Sequence, residues 1–139
     1  MALASYANLP PRPGQDLFSI GDLSEEFGVT ARALRFYEDE GLIAPERRGT
    51  QRLYSHRDRA RLAWILRGKR VGFSLTAIRE MIDLYDEGDG RRHQRSVAIE
   101  RCRERIALLE AQKQDIDAAV AELDDFVAVL EAGRAQDQG

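Results

Sequence analysis

The chain has one cysteine, two histidines and no long apolar run. The lone Cys102 excludes an internal disulfide framework and fits a reducing compartment. No window approaches the ~20 apolar residues that a bilayer span requires, so no membrane association is expected. The opening MALASYANLPPRPGQD has neither a charged n-region nor an apolar h-region and does not read as a signal peptide. His56 and His93 fall at a helix start and in a linker. No Ser–His or Cys–His set, metal-ligand spacing or Gly-rich phosphate loop accompanies them. These absences argue against an enzyme, and neither a cofactor nor a metal is expected. Proline is also scarce outside Pro10–Pro13, where three in four residues predict a disordered N-terminal arm over residues 1–16.

What is present is a punctuated helical pattern with uneven charge. Ser19 is a good N-cap for a helix near Gly21, with Asp22 at the capping-box position. Leu23 and Phe27 share one face. Gly28 breaks the helix, Val29 fills the turn, and Thr30 caps a second helix ending near Gly41. Two short helices joined by a Gly-containing turn form a helix-turn-helix. With Leu34 inward, the 3.6-residue period places Arg32, Arg35 and Phe36 together on the outward face. Two guanidinium groups and a ring suit a DNA groove: Arg reads guanine or clamps phosphate, and Phe touches a thymine methyl or a sugar. The bland alternative is a solvated helix whose arginines pair with Glu38 and Asp39.

Pro45 then stops the helical pattern, and Gly49-Thr50 is suited to turn a hairpin flanked by Arg47, Arg48 and Arg52. From Gly41 to Arg79 there are ten Lys or Arg (47, 48, 52, 57, 59, 61, 67, 69, 70 and 79) against Glu46 and Asp58, a local balance of +8 in a chain of net charge −3. A basic stripe within a mildly acidic protein fits a specific nucleic-acid footprint. Ser55, with Asp58 at N3, caps a third helix burying Leu62, Ile65 and Leu66. Gly68 to Gly72 is expected to interrupt it, exposing Lys69 and Arg70. Ser74 caps a fourth helix with Leu75, Ile78, Met81, Ile82 and Tyr85 inward, and residues 87–93 read as a linker.

Beyond the linker the pattern becomes heptad. Ile99, Ile106, Lys113, Val120 and Val127 fall seven apart; Cys102, Leu109, Ile116, Leu123 and Leu130 follow three residues after each. Neither Pro nor Gly occurs before Gly133, so a coiled-coil helix over 94–131 is predicted, with a short tail over 132–139. From Arg92 to Leu130 it would be ~58 Å long. Such a stripe cannot be buried against one small domain and needs a partner. A hairpin folding back on itself is disfavoured because residues 94–132 contain no turn signal.

These features resemble the MerR family of transcriptional regulators. The residues that carry the resemblance are Phe18-Ser19-Ile20-Gly21, Gly28-Val29-Thr30, Leu34-Arg35-Phe36-Tyr37-Glu38, Gly41-Leu42-Ile43-Ala44-Pro45, Arg52-Leu53-Tyr54-Ser55 and Leu66 to Leu75, in unbroken order over residues 17–86. Gln51 departs from the pattern, since many members have Tyr there. The resemblance implies a mainly α fold: a winged helix-turn-helix DNA-binding domain over 17–86, then a long antiparallel coiled-coil dimerisation helix. It implies double-stranded promoter DNA as partner, contacted by Thr30, Arg32, Arg35, Phe36, Tyr37, Arg47, Arg48, Arg52, Tyr54, Lys69 and Arg70. It also implies a homodimer on a pseudo-palindromic operator, distorting the DNA and so controlling RNA polymerase in a bacterial cytoplasm. DNA deformation of this kind costs of order 1–6 kcal/mol, offset by contacts at two half-sites.

Family members that sense metals or redox state carry further cysteines, which this sequence lacks. The blocks Arg35–Arg52 and Leu66–Asp86 look most like a subgroup tied to branched-chain amino-acid and fatty-acid catabolism. That likeness implies an acyl-CoA or related small-molecule effector, its site unknown, with Trp64, Arg91, Arg92 and Arg95 as nearby candidates. The competing readings are an effector-independent DNA-bending repressor and a coiled-coil adaptor for another protein. The adaptor would explain the seam but leave the arginine face of residues 32–36 without a purpose.

Overall fold

The computed structural model describes residues 14–84 and 90–138, apart from the Arg91 side chain. The calls for residues 1–13, for Tyr85 and for linker positions 87–89 lie outside the described residues. Of the expected arm, Gly14, Gln15 and Asp16 are described, and Gln15 Nε2 donates to the Leu17 carbonyl at 3.3 Å and to Asp22 at 3.2 Å.

The described chain divides into two compact units, one up to Gln94 and the other from Arg95 onward. In the first, strand β1 (Phe18–Ser19) leads directly into helix α1 (Ile20–Phe27). The Ser19 hydroxyl accepts from Asp22 N at 3.0 Å, and the Asp22 carboxylate accepts from Ser19 N at 2.9 Å, the reciprocal capping box expected from sequence. Gly28 ends α1 at φ 64, a left-handed conformation that glycine adopts without a Cβ clash. Helix α2 (Ala31–Asp39) begins when Thr30 Oγ1 accepts from Ala33 N at 3.1 Å. Strands β2 (Glu46–Arg48) and β3 (Gln51–Tyr54) form the hairpin, turning at Gly49.

One strand was not anticipated. β1 pairs antiparallel with β3, Phe18 opposite Tyr54 and Ser19 opposite Leu53, so the sheet has three strands in the order β1-β3-β2. Two residues carry no readable alternation, and only the pairing reveals them as strand.

Helix α3 (His56–Arg70) starts at the Ser55–Asp58 capping box. It corrects the expected interruption at Gly68: the helix runs through Gly68 and ends only before Gly72, whose φ is 90. Gly68 is a packing residue. A Cβ placed there would lie 2.7 Å from Ile78 Cγ1, so glycine lets helix α4 (Leu75–Asp83) approach closely. Leu62, Ile65, Ile78 and Ile82 join Phe18, Leu23, Leu34, Tyr37, Leu42, Ile43 and Tyr54 in one core, with Leu66 and Leu75 packed at its edge. Each fully buried Leu, Ile or Phe contributes about 1.5–3 kcal/mol.

Helix α5 (Gly90–Asp137) is longer than the expected 94–131 at both ends. Gly90, Arg91, Arg92 and His93, expected in the linker, are its first turn. Residues 132–137, expected as tail, are helical too: a single Gly133 costs only ~1 kcal/mol in a long helix. Gln94 is buried in the first unit, where its Nε2 donates to the Met81 carbonyl at 2.9 Å.

In the second unit the seam residues all lie on α5. Ile99, Ile106, Leu109, Ile116, Val120, Leu123, Val127 and Leu130 are between 42% and 63% exposed in the single chain. Lys113 is exposed and Cys102 only partly so. Burial pushes the Cys102 thiol pKa up. No described helix is long and apolar enough to cross a membrane.

Candidate nucleic-acid interface

The outward face of α2 is as the 3.6-residue period requires. Leu34 and Tyr37 are buried, while Arg32, Arg35 and Phe36 are exposed, the Phe36 ring by 42%. Arg32 and Arg35 make no hydrogen bond or ion pair among the described residues. Glu38 does not pair with them; it turns to the hairpin instead. Its Oε1 accepts from Arg47 Nη2 at 3.1 Å and its Oε2 from Arg52 Nε at 2.7 Å. Burial alone would raise the Glu38 pKa, but the hydrogen bonds from Arg52 and Arg47 outweigh it and hold the carboxyl below its ordinary value. The same contact raises the Arg52 pKa.

Two residues expected at the DNA surface belong to the core. Tyr54 is 0% exposed and Tyr37 3%. Their place follows from register: Tyr54 is opposite Phe18 at the sheet centre, and Tyr37 lies three residues after Leu34 on the inward face of α2. The Tyr54 hydroxyl has no hydrogen-bond partner among the described residues, and burial, followed by the Glu38 charge, pushes its pKa up. Thr30 is exposed, with its hydroxyl engaged as the cap of α2.

Lys69 and Arg70 are exposed at the end of α3. The Lys69 ammonium lies 5.6 Å from the centre of the Tyr37 ring, which brings the end of α3 beside α2. Arg48, exposed on β2, makes a loose 3.5 Å pair with Glu46. The structure therefore gathers α2, the hairpin and the α3 end in one unit.

The basic stripe is smaller than its count suggests. Arg59 is buried and its guanidinium grips the Glu26 carboxylate, Nη2 to Oε2 at 2.6 Å and Nε to both oxygens at 2.9 and 3.0 Å. Arg61 is buried too, donating to the Leu42 carbonyl at 2.6 Å, the Ile82 carbonyl at 3.3 Å and Asp83 at 2.9 Å. Arg79 donates to the Glu40 carbonyl at 2.6 Å. The acids that neutralise these arginines lie outside the 41–79 window, so a local sum missed them. Of the effector candidates, Trp64 packs against the core, Arg92 and Arg95 are exposed, and the Arg91 side chain lies outside the described residues. Among the described residues no three His, Cys, Asp or Glu come together as a metal would need.

The geometry is that of a winged helix-turn-helix, and comparison with known proteins agrees. Residues 18–84 match the family described as MerR HTH family regulatory protein, and residues 59–126 the one described as MerR, DNA binding. The chain is 30% identical over 117 residues to the HTH-type transcriptional regulator ZntR of Escherichia coli K12, covering 83% of this chain and 77% of that one. It is 39% identical over 72 residues to the HTH-type transcriptional regulator HmrR of Rhizobium leguminosarum, covering 51% of this chain and little more than half, 56%, of that one. A MerR-family regulator structure from Bacillus cereus superposes with TM-score 0.57 at 26% identity, covering 78% of each chain. The chain belongs to the MerR family of DNA-binding transcriptional regulators.

Proposed function

We propose that the protein binds a pseudo-palindromic promoter operator as a homodimer and distorts the DNA to control access of RNA polymerase. The observation that carries the DNA contact is the free outward face of α2. Arg32, Arg35 and Phe36 stand exposed there, beside hairpin arginines held by Glu38 and beside Lys69. Arg32, Arg35 and Phe36 are assigned to the groove, and Arg47, Arg48, Arg52, Lys69 and Arg70 to the flanking phosphates. Thr30 acts through the helix start it caps, and Tyr37 and Tyr54 act from beneath the surface by holding α2 and β3 in place.

The dimer contact is assigned to the α5 seam over 94–131, with 17–86 as the DNA-reading domain. Charge favours an antiparallel pair. Residues 90–113 carry seven Arg or Lys (91, 92, 95, 101, 103, 105 and 113) against Glu100, Glu104 and Glu110. Residues 114–137 carry Arg134 alone against seven acids (115, 117, 122, 124, 125, 131 and 137). A parallel pair would set like halves together; an antiparallel pair sets basic against acidic. With the centre between residues 114 and 115, all ten seam positions also find partners: Ile99 with Leu130, Cys102 with Val127, Ile106 with Leu123, Leu109 with Val120 and Lys113 with Ile116.

The effector assigned is an acyl-CoA or related metabolite, on the likeness of blocks Arg35–Arg52 and Leu66–Asp86 alone. The cellular setting assigned is a bacterial cytoplasm. The test is selection of duplexes from a random pool. The expected winners carry two half-sites about a dyad, and Arg35→Ala should relax one base preference at a cost of ~1–3 kcal/mol. Arg70→Ala should instead weaken all duplexes and lower the salt slope by about one unit. A protein that enriches no duplex refutes the DNA-reading assignment.

A further inference from the structure

We propose that Glu38 is a positioning residue for DNA recognition, the carboxylate that locks the hairpin arginines to the reading helix. This rests on the operator-binding function proposed above. In the hairpin register Arg47 lies directly opposite Arg52. Like charges facing each other across a strand pair repel and splay the hairpin. The Glu38 carboxylate lies between them, one oxygen to each guanidinium, at 3.1 and 2.7 Å. It comes from α2, one turn beyond Arg35 and two residues after Phe36.

One carboxylate thereby does two things. It turns a repulsive pair into a bridged one, and it ties the hairpin to α2, the element that carries the groove-facing side chains. Glu38 is only 17% exposed and Arg52 22%, against 57% for Arg47, so the Arg52 arm of the bridge is the better shielded from competing water. Arg52 gives its Nε to Glu38 and Arg47 one Nη, which leaves each guanidinium further N–H donors for phosphate oxygens. The spacing between hairpin phosphate contacts and groove contacts is then fixed before DNA arrives.

The proposal makes a prediction of opposite sign from simple charge. Removing an acid beside DNA should, by charge alone, tighten binding to every duplex. Loss of a positioning clamp should lower selectivity. The experiment measures full-length wild type, Glu38→Gln and Glu38→Asp against a duplex enriched from a random pool and a scrambled duplex of equal length. Thermal melts monitor folding. Glu38→Gln is expected to reduce the ratio of the two affinities roughly tenfold, with scrambled-duplex binding unchanged or tighter. In an Arg47→Ala, Arg52→Ala background the same substitution should no longer change the ratio. Glu38→Asp, which keeps the charge but is one methylene shorter, should fall between the two and serves alone if Glu38→Gln fails to fold. An unchanged ratio, equal tightening on both duplexes, or a full effect in the double-arginine background overturns the proposal. Wild type that does not distinguish the duplexes overturns the operator-binding function instead, and this inference with it.

Discussion

The first unit and the long helix treat their side chains in opposite ways. Residues 18–84 enclose their own core: its large apolar groups are covered, and even two arginines are inside, each matched to a carboxylate or carbonyls. The helix Gly90–Asp137 leaves eight large seam residues half in water. The first arrangement is enclosed within one chain; the second is the face that the proposed dimer would cover. If the proposed dimer forms, stability in the first depends on its own contacts, and in the second on protein concentration.

The most severe way to break this contrast is to charge the seam. Leu109→Glu with Leu123→Glu is expected to abolish the dimer in sedimentation while leaving the first unit folded, as judged by the near-ultraviolet signal of Trp64. Loss of both together would show that the units are not independent. Next in size, Arg59→Ala breaks the buried Arg59–Glu26 pair and should cost ~3–5 kcal/mol in denaturant unfolding. The equivalent truncation of exposed Arg103 on the long helix should change little. Gly68→Ala should destabilise by about 1–2 kcal/mol, because the added methyl meets Ile78 and outweighs the gain in helix propensity. Gly133→Ala, with open space around it, should stabilise instead.

A smaller effect separates the units by pH. The folded Glu38 pKa lies below its ordinary value of 4.5. Its contribution to stability is therefore complete above the unfolded pKa and is lost as pH falls from there through the folded one. Glu38→Gln should flatten the acid side of the first unit's stability profile and leave dimerisation alone. The smallest expected effect is none. In the proposed antiparallel pair the two Cys102 residues would lie roughly 25 residues apart along the axis, ~37 Å, whereas a disulfide needs Cα atoms within ~7 Å. Mild oxidation should give no cross-linked species on a non-reducing gel. Rapid cross-linking at low protein concentration would make the pair parallel.

Local signals were legible in the sequence. The caps at Ser19, Thr30, Ser55 and Ser74 depend on residues three apart, so sequence alone placed four helix starts. The turn at Gly49 gave the hairpin for the same reason. What stayed hidden was decided by distant partners. Gly68 reads as a breaker until Ile78 is seen against it. Tyr37 and Tyr54 look like interface residues until the core closes over them. Arg59 and Arg61 look like part of a basic surface because Glu26 and Asp83 are 33 and 22 residues away. Glu38 was visible as an acid on a helix of arginines, but its hairpin partners lie 9 and 14 residues on. The hairpin register, which sets Arg47 against Arg52, was the one clue that an acid belonged between them.

The pairing of Phe18 with Tyr54 has a kinetic consequence. It encloses both short helices in a closed loop, and closing a segment of that length costs roughly 3 kcal/mol of chain entropy. The helices and the hairpin, whose hydrogen bonds, caps and turn are local, are expected to form before that closure. Without Phe18 and Ser19 the hairpin would be a lone pair of strands, which is marginal in water. The clasp is thus the last part to set during folding. Amide exchange should find the Leu53 and Tyr54 protons protected only once the whole unit has assembled.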